Sequence, residues 1–234
     1  FQLIVPILTM RLMSEDMRQK TDQLLLTSPV GVGAIVLGKY LAAVAVFLAT
    51  VVATLAYPLI MSFFALGGLA WAEIVGGYIG FFLLGATFIA VGLFFSSLTD
   101  NQVVAAILTW TANLAIAILD AVTQLAPTSP ESGLALLVVA AVGLVLLVYF
   151  ATRSVVAAAA GGVALAAAVA ALWLFARGIF DGLIGRVLGV FSLGKRYGDF
   201  ALGILGLGPV VYYLSFCAVF VFLTVRMVDR RRWM

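Results

Sequence analysis

The chain has 234 residues, of which 65% are hydrophobic and 10% are charged. A soluble domain has about 45–50% apolar and about 25% charged residues, so this composition excludes a soluble globular protein. The mean hydropathy of +1.24 also excludes a disordered chain. With one cysteine and no histidine, the sequence excludes a disulfide framework, cysteine-based metal sites and histidine-dependent catalysis. We therefore expect neither a catalytic nor a metal site.

Long stretches without charge indicate the membrane-spanning segments. A helix needs about 20 mostly apolar residues to cross the hydrocarbon core. An apolar run over 1–10 predicts the end of one span, within a protein whose N-terminal part is missing from this chain. The uncharged apolar runs of the chain are continuous, unlike the alternating apolar and polar residues in the strands of a membrane barrel. We predict one all-α, polytopic transmembrane helical bundle over 1–234, with six full spans within the uncharged runs 40–72, 74–99, 101–119, 132–152, 154–176 and 200–225.

The first of these runs extends backwards through the apolar stretch Val32–Lys39, which ends in the single charged residue Lys39. At about 1.5 Å per residue, such a helix is longer than the hydrocarbon core is thick. We expect it to project from one face of the membrane. Pro58 lies near its far end and predicts a kink there.

The distribution of lysine and arginine predicts the orientation. If the segment after Met10 faces the cytoplasm, nine of the 13 basic residues lie inside and four lie outside. This agrees with the excess of basic residues in cytoplasmic loops and places the C-terminus in the cytoplasm. The basic stretch 229–233 is typical of a membrane anchor beside lipid headgroups rather than of a nucleic-acid site.

The polar segment 14–26 predicts a short amphipathic helix on the cytoplasmic side. Ser14 is a good N-cap residue, and acidic residues in the first turn favour a helix start. A helix built only to bind an anionic lipid surface would be dominated by lysine and arginine. Both charge signs occur here, which favours a protein partner over the alternative of a helix lying in the headgroups. The polar residues are Ser14, Glu15, Asp16, Arg18, Gln19, Lys20, Thr21 and Asp22.

A second polar segment, 178–208, falls outside the membrane. Its apolar residues from 179 to 191 recur at helical spacing, which predicts an amphipathic helix on the outer surface. We expect 195–200 to turn the chain towards the last span. The segment is either an interfacial anchor or a gate over a substrate path.

Polar residues inside the third uncharged run and at its end are candidates for a substrate path or for contacts between helices. They are Thr111, Asn113 and Asp120. Asp120 lies about 28 Å along the helix from Asn101, near the outer interface, where an ionised side chain costs little.

Several motifs resemble the permease subunits of ABC-2 type transporters, with the gliding-motility-associated branch as the nearest group. The resemblance covers both ends and the first half of the chain. The motifs are TMRL at 9–12, EDMRQKTDQLLLTSPV at 15–30, IVLGKY at 35–40, SSLTDNQ at 96–102, YGDF at 197–200, VYYLS at 211–215 and DRRRW at 229–233.

The resemblance implies an export permease in the bacterial plasma membrane, driven by a separate ATPase subunit. Segment 14–26 would be the coupling helix that enters a groove of the ATPase, with its characteristic acid at Glu15 or Asp16. A second permease completes the transporter, and a different chain is preferred over a second copy. The sequence has no GxxxxGK[ST] loop, which agrees with ATP and Mg²⁺ belonging to the partner and with no cofactor in this chain.

Two other functions explain parts of the same sequence. A secondary transporter would need ionisable residues near the membrane midplane, and the centres of the uncharged runs have almost none. A membrane scaffold without transport activity differs only in lacking dependence on an ATPase. The substrate is not encoded in any motif.

Overall fold

The structure is a computed structural model that describes residues 1–21, 30–64, 68–125, 127–152, 161–163, 165–170, 173, 178 and 180–232. Within these residues every regular element is helical, which confirms the predicted fold class. The main helices are α1 (Ile4–Thr9), α2 (Ser14–Gln19), α3 (Val32–Thr54), α4 (Ala56–Phe64), α5 (Trp71–Ser96), α6 (Gln102–Leu125), α7 (Pro130–Thr152), α8 (Leu183–Phe191), α9 (Leu193–Ala201) and α10 (Leu207–Arg232).

Four of the six predicted spans are confirmed as helices long and apolar enough to cross a membrane. They are Val32–Phe64, Trp71–Ser96, Gln102–Thr123 and Leu207–Arg230. The predicted span 132–152 lies within helix α7. More than half of the predicted span 154–176 lies outside the described residues, and the described part of 161–170 is helical.

The chain divides into two compact units, 1–117 with 193–234, and 118–192. In the first unit, α5 is the central helix, with 61% of its most apolar stretch buried against 17–22% for the other three membrane-length helices. Helices α1, α3, α9 and α10 pack around it. Glycines make this close packing possible, because a Cβ added to Gly92 would lie only 2.2 Å from Thr9 Oγ1.

Near the predicted kink at Pro58, the first long helix is interrupted at Leu55, where α3 ends before α4 begins. Pro58 has no N–H group, so the carbonyl of Thr54 four residues earlier lacks its helical donor. The hydroxyl of Tyr78 on α5 donates to this carbonyl over 3.0 Å. The central helix thus supplies the hydrogen bond that the Thr54 carbonyl loses at the break.

The turn predicted over 195–200 is wrong, because these residues belong to helix α9. Phe200 lies directly over Gly76 and Gly80 of α5, where added Cβ atoms would be 2.6 Å from its carbonyl oxygen and its Cβ. The hydroxyl of Tyr213 on α10 donates to the carbonyl of Leu193 over 2.7 Å. This packing keeps the segment helical, and the chain turns only after Ala201, at Gly203 (φ 75°).

In the second unit, α8 packs against α7. A Cβ on Gly133 would lie 2.2 Å from the carbonyl oxygen of Phe180. The amide of Gly182 donates to the carbonyl of Thr128 over 3.1 Å. The predicted segment 178–208 therefore contains two short helices, α8 and α9, which belong to different units.

Candidate functional site

The first feature of the site is the cap on helix α2. The backbone N–H groups of Met13 and Ser14 both donate to Oγ of Ser96, over 3.1 and 3.2 Å. Ser96 is fully buried at the end of α5, and its hydroxyl donates to the carbonyl of Met10 over 3.2 Å. The prediction that Ser14 caps the helix is wrong, because Met13 holds that position and the Ser14 hydroxyl donates to Met10.

Asp16 joins α2 to the long helix α3. Its carboxylate forms an ion pair with Lys39, and the Lys39 ammonium also donates to the carbonyl of Leu12. The Lys39 and Asp16 side chains are 25% and 24% exposed. Because partial burial reduces screening by water, this pair is a stronger link than an exposed surface pair.

Glu15 joins α2 to α6. Its Oε2 accepts a hydrogen bond from the side-chain amide of Gln102, and its Oε1 accepts one from Gln19 over 2.6 Å. Gln102 is the first residue of α6, directly after Asn101, whose side-chain oxygen accepts the N–H of Val103 over 3.0 Å. Glu15 is thus bound to the start of a helix that is itself capped.

An apolar side completes the attachment of α2. Met13 is buried with Val36 of α3, Leu93 of α5 and Val221 of α10, and Met17 packs against the same cluster. The helix therefore shares one apolar cluster with α3, α5 and α10, and polar groups bond it to α3, α5 and α6. Burial of a large apolar side chain typically contributes about 1.5–3 kcal/mol, so this short helix depends on tertiary contacts.

Helix α2 ends at Lys20, which has a left-handed conformation (φ 58°). The Lys20 amide donates back to the carbonyls of Asp16 and Met17, and the Thr21 hydroxyl donates to the Asp16 carbonyl over 3.3 Å. The continuous helix predicted over 14–26 is therefore interrupted after six residues. Asp22 and residues 23–26 lie outside the described residues.

Five of the seven predicted coupling residues fall into two groups, and Lys20, which was not among the seven, joins the second; Thr21 bonds to the end of α2, and Asp22 lies outside the described residues. The side chains of Ser14, Glu15 and Asp16 point into contacts with the rest of the molecule, as described above. Arg18, Gln19 and Lys20 are exposed. We call these three residues the α2 tip. The side chains of Arg18 and Lys20 are available to a partner, Gln19 is exposed but donates to Glu15, and the acidic residues hold the helix in place.

Sequence reasoning missed three residues that position α2: Lys39, Ser96 and Gln102. Ser96 and Gln102 are the first and last residues of the motif 96–102, which carried part of the family resemblance, but no spacing rule connects this motif to α2. Lys39 follows Gly38 in a long apolar helix, where an isolated lysine indicates a contact or the membrane boundary. The sequence does not show which.

The candidate path residues do not form one cluster. On α6, Thr111 is exposed while Asn113 is fully buried. The Asn113 carbonyl accepts a hydrogen bond from the Gln2 side chain over 3.1 Å, and among the described residues no partner faces the Asn113 side-chain amide. Asp120 lies in the second unit, half-buried, and its carbonyl accepts the Thr123 hydroxyl over 2.7 Å.

Comparison with known proteins gives one match. Residues 3–125 match the family model described as ABC-2 family transporter protein. The match covers just over half of the chain and runs from α1 to the end of α6, so it includes α2 and its polar partners Lys39, Ser96 and Gln102. No curated protein and no solved structure matches the chain.

Proposed function

Because the chain belongs to the ABC-2 family of transporter proteins, we propose that it is a permease that couples ATP hydrolysis by a separate ATPase subunit to export of a substrate. It is a multi-pass membrane protein of an ABC-type transporter. The observation that supports coupling is the construction of α2. Its inner side is bonded to three membrane-length helices, and its tip is exposed and polar.

The charge of the α2 tip indicates the chemistry of its partner. Arg18 and Lys20 supply two positive charges, while the acidic residues of α2 are already engaged with Lys39 and Gln102. An ATPase groove that receives this tip would present acidic or carbonyl groups. Such complementary charges raise the association rate and fix the orientation of docking.

The attachment of α2 also indicates how motion would be transmitted. A displacement of α2 acts on α3 through Asp16, on α5 through Ser96 and on α6 through Glu15. Packed helices move as rigid bodies between discrete arrangements. Closure of the ATPase subunits would therefore move at least three membrane helices together.

The remaining parts of the proposal follow the sequence. Helix α2 and the C-terminus lie on the cytoplasmic side of the bacterial plasma membrane. Anionic lipids surround the basic end of α10. A second permease, preferably a different chain of the gliding-motility-associated branch, completes the membrane part. The ATPase supplies the sites for ATP and Mg²⁺.

Co-purification tests the proposal. The full chain is co-expressed with the ABC ATPase encoded beside it, and the ATPase retained on the tagged permease is quantified. We expect the double substitution Arg18→Glu, Lys20→Glu to reduce the retained ATPase at least tenfold, since both side chains are exposed and their reversal leaves the fold intact. The matched control is Arg186→Glu. Arg186 is also an exposed arginine, but it is predicted on the opposite side of the membrane.

Two results would overturn the proposal. If the wild-type chain retains no ATPase, a scaffold without transport becomes the better reading. If the double variant and the Arg186 control retain equal amounts, the ATPase binds elsewhere and α2 is not the coupling element.

A further inference from the structure

A cavity of about 550 Å³ lies in the first unit between α4, the beginning of α5 and α9. Four aromatic residues contribute to its lining: Tyr57, Tyr78, Phe81 and Tyr197. Glu73 is the one charged residue among the described residues that line it. An acid among aromatic rings differs from the purely aliphatic surface that a membrane protein presents to lipid tails.

Two contacts of the fold hold two of the four aromatic residues, Tyr78 and Tyr197, in place. The Tyr78 hydroxyl donates to the Thr54 carbonyl that Pro58 leaves free, so the break in the helix fixes this ring. Tyr197 belongs to α9, which Phe200 anchors against the glycines of α5. The cavity wall is thus preorganised, which lowers the entropic cost of binding.

Glu73 has no positive partner within the described part of the chain. Lys39 of the neighbouring helix α3 is engaged with Asp16. Glu73 lies in the first turn of α5 and is exposed, so its carboxylate keeps its contact with water. Its negative charge sits on the rim of the cavity and is not neutralised by a neighbouring side chain.

Aromatic rings and an acid together recognise one class of ligand. The faces of aromatic rings attract cations, and sites for quaternary ammonium groups are built from several such rings. A neighbouring carboxylate adds attraction for the same charge and repels anions. We propose that this cavity binds an amphipathic organic cation, an apolar molecule that carries a quaternary or tertiary ammonium or an equivalent onium group.

This inference goes beyond the coupling function. It uses residues of α4, α5 and α9, and none of them contacts α2 in the bonds described above. Ligand binding can be measured without an ATPase, so failure of the co-purification experiment and failure of this proposal are separate results.

A matched pair of probes tests the charge requirement. Tetraphenylphosphonium and tetraphenylborate have nearly the same size and shape but opposite charge. Binding of each to the purified full chain in an uncharged detergent is measured by equilibrium dialysis, with empty micelles as the blank. We expect the cation to bind at least tenfold more tightly than the anion.

Variants test the location. Glu73→Gln should weaken binding of the cation about fivefold, the effect of one exposed charge. Tyr57, which is 70% exposed, should tolerate Tyr57→Phe without change, while Tyr57→Leu should weaken binding about threefold. Gly77 lines the cavity, and no atom lies within 4 Å of a Cβ added there, so Gly77→Leu should fill the space and weaken binding at least tenfold.

The control is Glu131→Gln. Glu131 is also an exposed acid in the first turn of a helix, α7, but it does not line this cavity. It should leave binding unchanged. Equal binding of the two probes, or equal affinity of wild type, Glu73→Gln and Gly77→Leu for the cation, would overturn the proposal, and so would the absence of binding to the wild type.

Discussion

Substitution of Ser96 by alanine tests whether α2 depends on the membrane helices. The Ser96 hydroxyl accepts the N–H groups of both Met13 and Ser14, and all three residues are buried. A buried donor that loses its acceptor costs about 1–3 kcal/mol. Two such donors predict that Ser96→Ala lowers the free energy of unfolding by about 2–6 kcal/mol.

The neighbouring serine provides a matched control for this prediction. Ser97 is also fully buried, but its hydroxyl donates only to the Phe94 carbonyl of its own helix, over 2.6 Å. Its loss leaves no backbone donor without an acceptor, so Ser97→Ala should cost at most about 1 kcal/mol. Each variant is purified in a mild detergent and titrated with a denaturing detergent, and the titration measures its free energy of unfolding. Equal destabilisation by the two substitutions would refute the capping role of Ser96.

Three further predictions concern the packing and the coupling of the helices. Gly92→Ala should lower the free energy of unfolding by about 1–3 kcal/mol, because its Cβ would lie 2.2 Å from Oγ1 of the buried Thr9; thermal denaturation measures the loss, and an unchanged midpoint would contradict it. Tyr78→Phe removes the donor to the carbonyl left free at the helix break. It should lower the free energy of unfolding by about 1 kcal/mol in the same assay. An unchanged midpoint would contradict this prediction and would mean that water replaces the hydroxyl. Asp16→Asn breaks the ion pair with Lys39, so the ATPase should still co-purify, but its hydrolysis rate in the complex should fall to that of the isolated subunit; a rate equal to wild type would contradict transmission through this pair.

The four confirmed spans were predictable because the physical rule behind them is local. A charged residue inside hydrocarbon is costly, so the gaps between charges indicate spans without any knowledge of tertiary contacts. The Pro58 kink is equally local, since the missing N–H acts within one helical turn. The structure places the break at Leu55, three residues before the proline and within the turn that the proline disrupts.

The errors at α2 and α9 have a common cause in distant contacts. Ser14 satisfies the usual rule for an N-cap residue, but the acceptor comes instead from Ser96, 82 residues away. Residues 195–200 contain three charged residues and a glycine, and we expected them to turn the chain, yet Phe200 against α5 keeps them helical. The intrinsic preference of a residue for a helix or a turn is weak, and tertiary packing routinely overrides it.

Different residues of α2 are expected to serve two properties, binding of the ATPase and transmission of its motion, which the sequence alone did not separate. Glu15 and Asp16 are candidates for the acid that the family resemblance places in the coupling helix, and both face other parts of the same chain. Their loss should disturb transmission more than binding. Arg18 and Lys20 face outwards, so their loss should disturb binding before transmission matters. A permease whose acidic and basic variants fail in the same step would therefore contradict the role of α2 as a link between two bodies, even if both variants abolish transport.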